Sequence, residues 1–281
     1  MLKDEVLRCR RRLAAGGIKD AAFEAACIAE YITGFDRARQ AVHSGDELSA
    51  EQTEQFNSIT EKRLSRYPLQ YLLKSWSFMG INLCVGEGVL IPRDDTEVCA
   101  RLCLDYLKDK PCSNAADLCS GSGAIAIALE QFAKARVKAV ELSDEAFKFL
   151  IKNIELNNSK AEPVLGDVFE IYESFPDGYF DLIVSNPPYI KTDELKTLQA
   201  EVQFEPKTAL DGGSDGLVFY RNIVKDWSAK LKRGGALVFE LGEGQADAVA
   251  RMMKAAGFSN IKTALDLGGE QRAIIGTLLS K

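Results

Sequence analysis

Histidine is nearly absent: His43 is the single copy in the chain. A Ser-His-Asp or Cys-His hydrolase needs an imidazole beside its nucleophile, so that chemistry is disfavoured from the outset. Cysteine is present but without a ligand pattern. Cys9, Cys27, Cys84, Cys99, Cys103, Cys112 and Cys119 are odd in number, scattered, and never spaced Cys-x-x-Cys. A zinc site needs Cys/His pairs at short spacing. No metal is therefore expected, and the thiols read as small buried hydrophobes. No run approaches the roughly 18 consecutive apolar residues of a membrane-spanning helix. The opening Met1-Leu2-Lys3-Asp4-Glu5 lacks an apolar core followed by a small-residue cleavage site. The expectation is a cytoplasmic protein with no membrane partner.

A basic surplus is missing too. The formal net charge is −6 and the sequence pI is about 5.1. Proteins that bind a nucleic acid backbone usually carry excess Lys and Arg, because phosphate neutralisation supplies much of the affinity. Direct nucleic acid binding is thus not expected. Arg8, Arg10, Arg11 and Arg12 form a local basic cluster that reads as a solvated helix face rather than a binding patch.

What is present fits an enzyme. Hydrophobic residues at 46% and charged residues at 27% are ordinary for a soluble globular protein, and 281 residues allow one large domain plus a small one. Residues 1–73 read as helix throughout. Val6, Leu7 and Leu13 mark one apolar stripe, and Phe23, Ala26, Cys27, Ala29 and Ile32 a second at helical spacing. Gly16-Gly17 and Gly34 are stops between helices. Ser49, with Gln52 three residues on, is a capping-box start for a long helix that ends before Pro68. Residues 78–85, then Gly86-Glu87-Gly88, then residues 89–91 predict a β-hairpin turning at the glycines. From Pro111 the pattern is strict strand–helix alternation, which gives an α/β fold with a mostly parallel sheet covered by helices on both faces. Ligands in such sheets bind beyond the C-terminal strand ends.

Four features sit at those ends. Asp117-Leu118-Cys119-Ser120-Gly121-Ser122-Gly123 follows the first strand of the alternation and opens a helix. Its glycines let the backbone approach a ligand, although a plain tight turn has the same appearance. It is neither the dinucleotide G-x-G-x-x-G nor a P-loop. Glu141 ends the next strand, roughly 20 residues beyond the glycines, where a carboxylate can accept both ribose hydroxyls. The alternative is an acid that only favours a helix N-terminus. Gly166-Asp167-Val168-Phe169 follows the third strand, and Asp167 there can accept from an adenine amino group with Val168 and Phe169 bordering the ring. Ser185-Asn186-Pro187-Pro188-Tyr189 follows the apolar strand 181–184. Pro-Pro cannot continue a ladder and fixes the backbone. The Asn186 amide oxygen and the Pro187 carbonyl become two acceptors for a planar NH₂ group, with Tyr189 as a flat wall.

In this order the Asp117–Gly123 loop, Glu141, Asp167 and Asn186–Tyr189 resemble the class I methyltransferases that modify amino groups, with their Rossmann-like domain. Further stretches narrow the likeness: Pro68-Leu69-Gln70-Tyr71, Val89-Leu90-Ile91-Pro92-Arg93-Asp94-Asp95-Thr96-Glu97, Phe204-Glu205-Pro206 and Gly212-Gly213-Ser214-Asp215-Gly216. With the helical N-terminal part, the chain resembles the peptide chain release factor glutamine methyltransferases over essentially its whole length. The resemblance implies a helical substrate-recognition domain at 1–73, a hairpin linker at 74–93 and a methyltransferase domain with a mostly parallel seven-stranded sheet at 94–281. It implies S-adenosylmethionine as cofactor, held by Asp117, Cys119, Ser120, Gly121, Ser122, Gly123, Glu141, Leu142, Asp167, Val168, Phe169 and Asn186. Asn186, Pro187, Pro188 and Tyr189, with Arg93, Thr96 and Glu97, would hold the glutamine of a release factor's Gly-Gly-Gln motif, and Asn186, Pro187 and Tyr189 would carry the catalysis. Class 1 release factors are the implied partner of a monomeric enzyme.

This chain departs from the family at Cys119, often glycine, which fits if the backbone there is ordinary, at Asp94, often proline, and at Val168, often tryptophan, which shifts any aromatic role to Phe169. Three competing readings share parts of the pattern: a methyltransferase of nucleic acid amino groups, a ribosomal-protein glutamine methyltransferase, and a non-catalytic S-adenosylmethionine-binding protein.

Overall fold

The computed structural model describes residues 1–279. Two units divide the chain: Met1–Lys74 with Gln199–Phe204, and Ser75–Leu198 with Glu205–Lys281.

In the first unit the helix signals act where the sequence puts them. Helix α1 (Leu2–Ala15) buries Leu2, Cys9 and Leu13, and α2 (Ala21–Thr33) ends at Gly34 in the left-handed conformation, which glycine adopts without a Cβ penalty. Helix α3 (Arg37–Val42) is capped by Asp36, whose carboxylate accepts from the Arg39 N–H at 2.8 Å. Helix α4 (Ala50–Leu64) has the full capping box, with Ser49 and Gln52 exchanging bonds of 3.0 Å in both directions. Pro68 precedes the short α5 (Leu69–Leu73). Leu13, Ala25, Ile28, Ala29 and Phe56 form the core of the unit. Arg8 and Arg12 of the basic cluster pair with Glu5 and Glu61, as a solvated helix face does. Arg63, only 6% exposed, is held by Glu24 at 2.7 and 3.1 Å and by Glu201 at 3.0 Å. That ion trio ties residues 199–204 into the helical unit.

The second unit opens with strands β1 (Ser75–Phe78) and β2 (Ile81–Cys84), paired antiparallel. The hairpin turns at Met79-Gly80, not at Gly86–Gly88 as the glycine spacing suggested. Both turn residues have positive φ, 49° and 80°, the geometry that matches the twist of a two-residue hairpin. Residues 85–91 run on as irregular chain. Then α6 (Thr96–Leu107), β3 (Asn114–Leu118), α7 (Ala124–Ala133), β4 (Arg136–Glu141), α8 (Asp144–Leu156), β5 (Glu162–Leu165), β6 (Phe180–Ser185), α9 (Val218–Trp227), β7 (Leu231–Glu240), α10 (Ala246–Ala255), β8 (Phe258–Leu265) and β9 (Gln271–Leu278) follow in chain order. Among the described residues β3 to β9 form a seven-stranded sheet ordered β5-β4-β3-β6-β7-β9-β8. The pairs β3–β4, β3–β6, β4–β5 and β6–β7 are parallel, and β9 is antiparallel to both neighbours. Apolar clusters flank the sheet, one built on Leu107, Ile127 and Leu182, the other on Phe180, Tyr220, Trp227 and Phe239. Continuous burial along β3 and β6 is what a sheet covered on both faces requires. The strand order reverses between β3 and β6, so their C-terminal ends open the crevice where ligands bind.

Candidate active site

The glycine loop leaves β3 and enters α7. Asp117 is 1% exposed, and its Oδ2 accepts from the Ala126 N–H at 3.0 Å, placing a carboxylate at the positive end of α7. Burial pushes its pKa up to about 7. The Ser120 hydroxyl donates to the Asp117 carbonyl at 2.7 Å, which closes the turn. Gly123 has φ +83°, and a Cβ there would stand 2.6 Å from Leu150 Cδ1, so α7 packs as tightly on α8 as only glycine allows. Cys119 does not meet the condition of an ordinary backbone: its φ is +61°, a left-handed conformation that costs a non-glycine residue about 1–2 kcal/mol. Burial and the Glu141 carboxylate push the Cys119 thiol pKa up. It stays protonated and is therefore a poor nucleophile.

Glu141, at the end of β4, is clamped. Its Oε2 accepts from the Gly121 N–H and its Oε1 from the Ser143 N–H, each at 2.8 Å. An ionised carboxylate has about four lone-pair sites, so each oxygen keeps one for a further donor. Asp167 spends its Oδ1 on the Phe169 N–H at 2.8 Å, which fixes the turn after β5. The Val168 carbonyl accepts from the Trp227 indole at 2.9 Å. Phe169 meets Phe219 of α9 with ring centroids 4.9 Å apart.

Asn186 to Tyr189 follow β6. The Asn186 Nδ2 donates to the Thr96 hydroxyl oxygen at 3.3 Å, leaving the Oδ1 end of the amide for an incoming donor. Pro187 and Pro188 are buried. The Tyr189 hydroxyl donates to Glu240 Oε1 at 3.3 Å, and burial raises its pKa, so the phenol stays a neutral donor. Gln245 Nε2 donates to the Tyr189 carbonyl at 2.8 Å. Cβ atoms on Gly212 and Gly216 would stand 2.7 Å from Tyr189 Cα and 2.5 Å from the Tyr189 carbonyl oxygen. The glycine-rich turn is thus the floor on which the proline turn rests.

Residues from each of these turns line one cavity of about 400 Å³. It brings together Asp117, Cys119, Ser120, Gly121, Ser122, Glu141, the 57% exposed Leu142, Asp167, Val168, Phe169, Asn186, Pro188 and Thr96. Gly123, Pro187, Tyr189, Arg93 and Glu97 are not among its walls. Arg93 pairs with the buried Glu205, whose Oε2 also accepts from the Ile91 N–H at 3.0 Å. Glu97 accepts from the Met79 N–H at 3.0 Å and from Arg101 at 2.8 Å. Both hold irregular chain in place. Two residues escaped the sequence reading. Phe219 reaches the cavity from a helix whose apolar spacing signals only core. Glu240 ends the apolar strand β7 as a carboxylate, a signal visible in the sequence.

Residues 6–73 match the PrmC N-terminal domain family, and residues 87–226 match the methyltransferase small domain family. A release factor glutamine methyltransferase of Geobacter sulfurreducens is 40% identical over 96% of this chain and 94% of its own. One from Thermodesulfovibrio yellowstonii is 38% identical over 82% of this chain and 83% of its own. Among solved structures, a methyltransferase from Pyrococcus furiosus superposes with a TM-score of 0.54 at 19% identity, over 81% of this chain and 98% of that one. The catalytic domain of hMettl16, solved with an RNA hairpin, gives a TM-score of 0.60 at 15% identity, over 89% and 95% of the two chains. Those two share the fold.

Proposed function

The chain belongs to the release factor glutamine methyltransferase family, and on that premise we propose that its cavity holds S-adenosylmethionine beside the side-chain amide of the glutamine in a release factor's Gly-Gly-Gln motif. The observation that carries this reading is the Asn186 amide, held by Thr96 at one end and free at the other, on the wall of the cavity that Glu141 also lines.

The residues present fit S-adenosylmethionine. Each Glu141 oxygen keeps a lone pair after its backbone bond, which suits two ribose hydroxyls. Asp167 Oδ2 suits an adenine amino group, and Phe169 with Phe219 suits the flat face of the ring. Ser120 to Gly123 lie at the α7 N-terminus, where backbone N–H groups suit a carboxylate.

Bound there, S-adenosylmethionine supplies an electrophilic methyl on a positively charged sulfur. The chain has to do the rest. An amide nitrogen is a poor nucleophile because its lone pair is delocalised into the carbonyl. Asn186 Oδ1 and the Pro187 carbonyl accept its two hydrogens, which fixes the nitrogen in place; such positioning lowers a barrier by removing the entropy of a free encounter. The same two acceptors stabilise positive charge growing on that nitrogen. Tyr189, braced by Glu240, anchors the turn that presents the two acceptors. The Cys119 thiol, held protonated, does not compete for the methyl. The substrate proton leaves to solvent after transfer, with no general base required. The helical unit, which matches the PrmC N-terminal domain family, grips the protein substrate. The enzyme works as a monomer in the cytoplasm.

The test uses labelled S-adenosylmethionine and two release factors that differ only by Gln→Ala in the Gly-Gly-Gln motif. Label on the wild-type factor and none on the variant is the expected result. Label on RNA, DNA or a ribosomal protein instead overturns the substrate.

A further inference from the structure

Gly88, Leu90 and Pro92 line the cavity, while Val89 and Ile91 between them are buried in the core. The segment alternates between cavity and core as a strand does, although residues 85–91 lie in no strand. One stripe of α8 holds it. Glu145, Phe149 and Asn153 stand four residues apart on that helix, with Asn157 at its C-cap, and so share a face. The chain from Asn82 to Gly88 runs along that face in the opposite direction, two residues for every four. Asn157 Nδ2 donates to the Asn82 carbonyl at 2.9 Å. Asn153 brackets Cys84, accepting its N–H at 2.6 Å and donating to its carbonyl at 3.0 Å. A Cβ on Gly86 would stand 2.9 Å from Phe149 Cζ, and one on Gly88 2.9 Å from Glu145 Cβ. The spacings agree because four helical residues rise about 6 Å and two extended residues about 6.6 Å.

Asn153 does more than mark this register. It is fully buried, and its Nδ2 also donates to the Ser122 carbonyl at 2.9 Å. Ser122 belongs to the glycine loop and lines the same cavity, whereas neither Asn153 nor Cys84 is among the cavity residues. One amide thus spends its acceptor and both its donors on two cavity walls: the segment that follows Cys84 and the loop that follows β3.

We propose that Asn153 is a positioning residue for S-adenosylmethionine, one that fixes the glycine loop and the Gly88–Pro92 segment at the spacing the cofactor requires. This rests on the proposed function above, which puts S-adenosylmethionine in that cavity. The role needs an amide, because among side chains of this size only an amide offers one acceptor and two donors in a fork. Without it the Cys84 and Ser122 carbonyls are buried and unpaired, and they regain partners only if the two walls move.

Calorimetric titration of the full chain with S-adenosylmethionine tests this. Asn153→Ala should raise the dissociation constant by about 10- to 100-fold, the usual effect of removing an outer partner that orients a binding group. Asn153→Asp keeps the shape and the acceptor but has no NH₂, and should also bind weakly. Asn157→Ala breaks the Asn82 bond, reaches no cavity residue, and should keep wild-type affinity whatever it costs in stability. With a release factor as substrate, Asn153→Ala should have a raised KM for S-adenosylmethionine and a kcat near that of the wild type at saturating cofactor. Wild-type affinity in either Asn153 variant overturns the proposal. So does an equal loss in Asn157→Ala, or a loss of kcat that saturating cofactor does not restore. If neither Asn153 variant folds, amide hydrogen exchange of the wild type decides: S-adenosylmethionine should slow exchange of the Cys84 N–H, and an unchanged rate overturns the proposal. No binding of S-adenosylmethionine by the wild type overturns the function reading and this proposal together; wild-type binding that Asn153→Ala retains in full overturns this proposal alone.

Discussion

Gly212 lies directly against Tyr189: a Cβ placed on it would stand 2.7 Å from the Tyr189 Cα and 2.8 Å from the Pro188 carbonyl oxygen. Beside it Ile190 forms a parallel bridge with Asp211, donating its N–H to the Leu210 carbonyl at 2.9 Å and accepting the Gly212 N–H at 2.8 Å. The turn that carries Asn186 is therefore set by backbone contact with a segment more than twenty residues later. Rigidity of this kind lets an asparagine act by position alone.

Gly212→Ala should displace the Asn186–Tyr189 turn. Because the clash is with backbone, no side-chain rotation relieves it. A misplacement of the order of 1 Å costs about 100-fold in rate, so kcat for release factor methylation should fall by about that much. S-adenosylmethionine affinity, carried by the other rim of the cavity, should change little. Steady-state kinetics with calorimetric cofactor binding checks this, and wild-type kcat would show that the turns are mechanically independent.

Glu141→Ala should weaken S-adenosylmethionine. The variant loses its acceptors for the ribose and also releases the Gly121 and Ser143 N–H groups. A hydrogen bond to a charged group contributes about 1.5–3 kcal/mol, so the dissociation constant should rise by about 10- to 100-fold. Isothermal calorimetry reads this directly. An unchanged constant removes Glu141 from the ribose role.

Asp117 should make the fold less stable as pH rises. Its pKa goes from 3.8 to about 7 on burial, so between about pH 4 and pH 7 the folded state binds more protons than the unfolded state. Stability then falls as pH increases through that window and levels off above it. Asp117→Asn can keep the Ala126 bond through its Oδ1 and does not titrate. Denaturant unfolding at pH 5 and pH 8 should show a loss about 1–3 kcal/mol larger in the wild type than in the variant. Equal losses would show that the Asp117 site is hydrated enough to leave the acid unshifted.

Arg63→Ala should destabilise the helical unit. It leaves Glu24, itself almost buried, without its cation, and breaking a buried pair from one side costs about 3–5 kcal/mol. Amide hydrogen exchange should show residues 199–204 losing protection, because Glu201 loses the 3.0 Å bond that holds it. Unchanged exchange there would mean that Tyr67 and Phe204, whose rings lie 5.2 Å apart, suffice to hold the segment.

Much of this was legible because its causes are local. The Ser49 capping box, the Gly34 helix stop and the strand–helix alternation depend on residues a few positions apart, and the structure has all three. The acids at the strand ends were visible for the same reason, since strand ends are marked by where an apolar run stops. What escaped depends on distance or on conformation. The hairpin turns at Met79-Gly80 because a methionine there takes φ 49°, a choice made by strand pairing rather than by intrinsic preference. Cys119 likewise takes a left-handed conformation that its side chain disfavours. Phe219 meets Phe169 across fifty residues of chain. The attachment of residues 199–204 to the helical unit rests on Arg63, more than a hundred residues earlier.

The central claim is that Asn186 acts by holding the substrate amide rather than by binding the cofactor. The most direct measurement is the single-turnover rate of release factor methylation by Asn186→Ala with S-adenosylmethionine saturating, set beside its cofactor dissociation constant. The account predicts a rate reduced by about 100-fold or more with a dissociation constant close to that of the wild type. A near-normal rate, or a loss that added cofactor restores, would contradict it.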